Sequence, residues 1–109
     1  MNKDQIKLLT KIKKLVSSKS RRFEDRDDID YLEELAILGI SEEEAWNHIL
    51  SLNVNFYFPD PKPNYYNDKN SLTFKKSING KLAYIKVNIN EDEVKAICWS
   101  FHEDRKERK

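Results

Sequence analysis

Apolar residues recur at helical spacing near the start of the chain. Ile6, Leu9, Ile12 and Val16 form one stripe, Leu8 and Leu15 widen it, and lysines fill the opposite side, which predicts an amphipathic helix over 2–18. Serine and dense charge in SSKSRRFEDRDD (17–28) break that period, so a loop is expected, with room for a short edge strand around Phe23. Asp27 or Asp28 is placed to cap a second helix that runs to Leu38. Ile29, Leu32, Leu35, Ala36 and Ile37 supply its buried side, and Gly39 its left-handed stop. SEEE (41–44) is a capping box in which Ser41 and Glu44 satisfy each other's backbone amides. It opens a third helix to about Leu52 that buries Ala45, Ile49 and Leu52 and leaves Trp46 near an edge.

After Leu52 the period changes from helical to alternating. NVNFYF (53–58) places Val54, Phe56 and Phe58 on one side of a strand, and three prolines then impose a long loop. LTFKKSI (72–78), Asn79-Gly80 and KLAYIKVNI (81–89) predict a hairpin with a two-residue turn. VKAICWSFH (94–102) is the last strand and EDRKERK (103–109) a polar tail. The turn pairs Ile78 with Lys81, hence Phe74 with Ile85 and Lys75 with Tyr84. In the last strand Ile97, Trp99 and Phe101 match the apolar face of Ala83, Ile85, Val87 and Ile89. That match pairs Ile85 with Trp99 and Val87 with Ile97, through an odd-length loop or a bulge. Thr73, Lys75, Tyr84, Lys86, Cys98, Ser100 and His102 then share the opposite face, with no acid among them. The expectation is one α+β domain over 1–109. Three helices (1–52) cover one face of an antiparallel sheet of about four strands (53–102).

Composition narrows the function classes. With 20 Lys and Arg against 19 Asp and Glu, bulk charge demands no polyanionic partner, so any nucleic-acid role must come from a local patch. The lone cysteine, Cys98, cannot close an intramolecular disulfide, and a packing role suits it better than a reactive one. No apolar run reaches membrane-spanning length and the basic N-terminus lacks the apolar core of a signal peptide, so a cytoplasmic setting is expected. His48 has no Cys or His at ligand spacing, and no metal or other cofactor is expected.

The outer face does suggest chemistry. Breaking an RNA phosphodiester through its ribose 2′-hydroxyl requires a base, an acid for the 5′-oxygen and positive charge at the phosphorane, and His, Tyr and Lys supply that set. The words YIK (84–86) and SFH (100–102) resemble those of the MqsR-type toxins of bacterial toxin–antitoxin pairs. So do IKKLV (12–16), LAILGIS (35–41), ILSL (49–52) and NFYF (55–58), so that the likeness spans nearly the whole chain. The resemblance implies a RelE-like fold and a ribonuclease that cuts messenger RNA without a metal and is silenced by a cognate antitoxin. It places the family's tyrosine at Tyr84 and its last basic residue at His102, where part of the family has lysine. Two positions depart: Phe58 stands where a lysine is expected, and Leu72–Thr73 where a Trp-Gln pair is expected, with Lys75 available to replace the lost charge.

Tyr84, His102, Lys75 and Lys86 are therefore the candidate catalytic residues, and Thr73, Ser100, Tyr65 and Tyr66 candidate contacts to single-stranded RNA. Tyr65 and Tyr66 equally suit pinning the proline-rich loop to the sheet. Arg21, Arg22 and Arg26 offer phosphate contacts, but the interspersed acids favour a solvated charge network. The rival function is a non-catalytic interaction protein, a phage- or island-encoded inhibitor or regulator that uses the same face.

Overall fold

The computed structural model describes residues 1–27, 29–59 and 71–104. Helix α1 (Lys3–Ser17) starts at a capping box between Asn2 and Gln5 and turns Leu9, Ile12 and Val16 into the core; Ile6, expected in that stripe, is 46% exposed. Lys19, at φ +66°, turns the chain into strand β1 (Arg21–Phe23). A strand thus lies in the segment read mainly as loop.

Helix α2 (Tyr31–Leu38) begins later than expected, because Asp30 rather than Asp27 accepts from the amides of Leu32 and Glu33; Asp28 lies outside the described residues. The later start changes the buried stripe. Tyr31, stacked on Phe23 at 4.4 Å, sets the phase Tyr31–Leu35–Leu38, so Leu32, Ala36 and Ile37 are exposed and Ile29 precedes the helix. Gly39 at φ +78° ends it as expected. Helix α3 (Glu42–Leu50) opens on the Ser41–Glu44 capping box and buries Ala45, Ile49 and, just beyond its end, Leu52. Trp46 is not near an edge: it is buried, 4.7 Å from Phe23.

Residues 53–58 are not a strand. Asn53 bonds its own chain two residues on, at Asn55 N, which favours a single 3₁₀ turn (Val54–Phe56) over a ladder. Backbone pairing of this segment with β2 comes only after the turn, through a Tyr57–Phe74 bridge and a bond from Phe58 N to Thr73 O. Strands β2 (Ser71–Ile78) and β3 (Lys81–Asn90) form the expected hairpin, with Asn79 and Gly80 both at positive φ and Phe74↔Ile85 and Lys75↔Tyr84 in register. Strand β4 (Lys95–Glu103) completes a sheet of order β1-β4-β3-β2. The sheet is mixed rather than antiparallel, because β1 takes the fourth place and runs parallel to β4.

The β3–β4 register corrects the expected pairing. Ile85 faces Phe101, not Trp99, and Val87 faces Cys98, not Ile97; a bulge at Trp99 separates the two. Below the bulge Ala96 and Cys98 point to the helices, above it Phe101 does, so Cys98 belongs to the core. Helices α1 and α2 pack on β4 and α3 packs on α1 and α2, leaving the other face of the sheet without a helix among the described residues. No helix there is long and apolar enough to cross a membrane.

Candidate active site

Two cross-strand rows occupy the outer face. Lys75, Tyr84 and His102 are paired in one row, and Thr73, Lys86 and Ser100 in the next. Residues two apart on a strand share a face, so each row lies roughly 6.7 Å from the other. The bulge at Trp99 makes this arrangement possible. It shifts the alternation of β4 so that Ser100 and His102 emerge beside Lys86 and Tyr84 while Phe101 stays buried.

Within the first row, the rings of Tyr84 and His102 stack at 5.3 Å with an interplanar angle of 18°. His102 Nδ1 lies 2.9 Å from the carbonyl oxygen of Glu103. A carbonyl can only accept, so Nδ1 carries the hydrogen and Nε2 of the neutral ring keeps a lone pair. Lys75 Nζ sits 3.8 Å above the ring of Phe58 and 2.8 Å from Asp104 Oδ2, an ionic contact outside hydrogen-bond geometry. Asp104 therefore corrects the acid-free face. Its amide donates to Leu82 O, which fixes the start of the polar tail.

In the second row Thr73 is buried, whereas Lys86 is half-buried and makes no ion pair among the described residues. Where three-residue β1 ends, the carbonyls of β4 lose their ladder partner. Arg26 takes over there: its Nη1 donates to Trp99 O at 3.2 Å and to Ser100 Oγ at 3.4 Å. The sequence pattern expects Arg26 in a charge network; the ending of β1 beside the bulge also brings it to this face. Its neighbours do form such a network. Arg21 pairs with Glu43 and lies over Trp46, and Arg22 bonds Glu93 through two nitrogens and Glu24 through a third.

Beyond the second row the same face holds a cleft of about 340 Å³, lined by Glu24, Asn88, Asn90, Asp92, Ile97 and Trp99. Trp99 Nε1 and Asn88 Oδ1 are closed off from water without hydrogen-bond partners, each an omission worth about 1–3 kcal/mol. Other candidates lie elsewhere. Burial pushes the Cys98 thiol far above its ordinary range, and Sγ–H donates to Ser100 O. His48 meets Lys76 on the helix side of the sheet. Tyr65 and Tyr66 lie outside the described residues. Compared with known proteins, the chain matches no family model and no curated protein.

Proposed function

We propose that this protein is a metal-independent endoribonuclease of the MqsR kind, with a RelE-like arrangement, that cuts messenger RNA in the cytoplasm and is held silent by an antitoxin covering the outer sheet face. The observation that carries the reading is the stacked Tyr84–His102 pair, with Lys75 beside it in register. His102 Nε2 takes the proton of the ribose 2′-hydroxyl, whose oxygen attacks phosphorus. The Tyr84 hydroxyl gives its proton to the departing 5′-oxygen, leaving a 2′,3′-cyclic phosphate and a free 5′-hydroxyl. Parallel rings 5.3 Å apart suit the two apical oxygens of one phosphorane. Lys75 and Lys86 supply positive charge to it.

A second reading draws support from the Lys75–Asp104 contact, which neutralises the cation that replaces the one lost at Phe58. On that reading the face is the docking surface of a non-catalytic inhibitor or regulator. Incubation of purified protein with RNA in the presence of a chelator separates the two. Cleavage that falls about 10²–10⁴-fold in His102→Ala, with the unfolding midpoint unchanged, is the expected result. Undiminished cutting by that variant removes the assignment, and an inert wild type favours the second reading.

A further inference from the structure

On the helix side of the sheet, a groove of about 290 Å³ between α3 and β2 is lined by Glu44, Asn47, His48, Ser51 and Lys76, none of which the proposed reaction uses. Lys76 Nζ is its centre. It lies 2.6 Å from Ser51 Oγ and 2.9 Å from His48 Nδ1, with the Phe56 ring 5.4 Å away. The Ser51 hydroxyl donates its own hydrogen to His48 O at 2.8 Å, so toward Lys76 it offers only lone pairs. An ammonium cannot accept, so His48 Nδ1 does, and the ring hydrogen sits on Nε2. Lys76 pairs with no carboxylate among the described residues. Glu44 is turned instead to the capping box, where Oε1 accepts from Ser41 N. Burial without an ion pair holds the Lys76 ammonium below its ordinary pKa. The result is an amine with a proton acceptor already in contact.

We infer that Lys76 is an acyl-acceptor site, at which an activated short acyl group, carried as a thioester or an acyl phosphate, is transferred to Nζ with His48 as the base. The ammonium passes one proton to His48 Nδ1, and the freed lone pair attacks the acyl carbon to form the N–C bond. The C–S bond of the thioester, or the C–O bond of the acyl phosphate, breaks, and its electron pair leaves with the thiolate or phosphate. That leaving group takes the second nitrogen proton, and the imidazolium returns its own to water. Phe56 gives the acyl chain an apolar wall. The product amide is neutral, so the cation beside His48 is lost. This inference is independent of the ribonuclease reading.

Incubation of the full chain at neutral pH with acetyl phosphate in one arm, and with the acetyl thioester of a small thiol in the other, tests it. Peptide mass spectrometry then follows acetylation of each lysine with time. Lys76 should react about tenfold faster than Lys7 and Lys11, exposed on α1, in at least one arm, which also identifies the acyl source. His48→Gln can accept from Lys76 but cannot carry a proton away. It should bring Lys76 down to the rate of those two lysines, leaving theirs and the unfolding midpoint at neutral pH unchanged. In acetylated wild type the His48 titration followed by NMR should move up toward its ordinary range, because the Lys76 charge that lowers it is gone. Lys76 no faster than Lys7 and Lys11 in both arms overturns the site. Undiminished labelling of Lys76 in folded His48→Gln overturns it as well, since the imidazole then plays no part.

Discussion

Cys98 shows how one residue's chemistry follows from one step of register. The bulge turns its side chain to the helices, where it is 1% exposed and its thiol donates to the carbonyl of Ser100. Burial there holds the sulfur as thiol, so a disulfide reagent should label it in folded protein only as fast as the sheet opens. Cys98→Ser puts a more polar hydroxyl in the same place and should cost about 1–3 kcal/mol in urea unfolding. Labelling at the rate of an exposed thiol would contradict the burial. The outer residues were legible where turn chemistry fixes the register: Asn79-Gly80 alone sets Lys75 against Tyr84. The need for Phe101 to point inward puts His102 on the face of Tyr84, but the expected register sets Ser100 opposite Tyr84; the bulge brings His102 there instead. Asp104 and Arg26 were not legible, since each arrives from outside the alternating segments and is held by backbone groups of other strands.

At the scale of elements, local signals succeeded where a single chemical device decides the outcome. The Ser41–Glu44 box and the Asn-Gly turn are such devices. Alternation alone misled twice. NVNFYF has the pattern of a strand, but Asn53 captures its own backbone, and three residues of β1 take the sheet edge instead. In β4 the apolar set Ile97, Trp99 and Phe101 is broken by the bulge, which no period-two pattern reveals. The two positive-φ glycines offer a measurable contrast. At Gly80 an added Cβ meets nothing within 4 Å, so Gly80→Ala should cost only the left-handed backbone, about 1–2 kcal/mol. At Gly39 the Cβ lands 3.2 Å from Asn79 Nδ2, whose hydrogen bond to Leu38 O ties the hairpin to the end of α2. Gly39→Ala should therefore lose the same backbone energy plus about 1 kcal/mol of that bond. Equal destabilisation of the two variants in urea would show that the Asn79 tie contributes nothing.

For the molecule as a whole, near-balanced charge conceals an uneven distribution: α1 carries Lys3, Lys7, Lys11, Lys13 and Lys14 against Asp4, acids line the cleft at one end of the outer face, and a separate cluster joins the two layers. That joint couples folding to pH. Lys76, on the helix side of β2, donates to Ser51 Oγ at 2.6 Å and to His48 Nδ1 at 2.9 Å. The second bond exists only while the imidazole is neutral. Burial first, and then the nearby Lys76 ammonium, hold His48 below its ordinary 6.5, with Glu44 opposing weakly; Asn47 completes the groove. A histidine whose pKa is depressed by folding adds stability above its unfolded pKa and loses it as pH falls, because the unfolded chain then binds the proton more readily. The unfolding midpoint should therefore drop as pH falls below about 6.5, before the carboxylates titrate. His48→Gln, which can still accept from Lys76 but cannot be protonated, should flatten that segment of the curve while leaving RNA cleavage at neutral pH unchanged, since α3 and Lys76 lie across the sheet from His102. A slope equally steep in the variant would assign the acid sensitivity to other groups and remove His48 from the joint between helices and sheet.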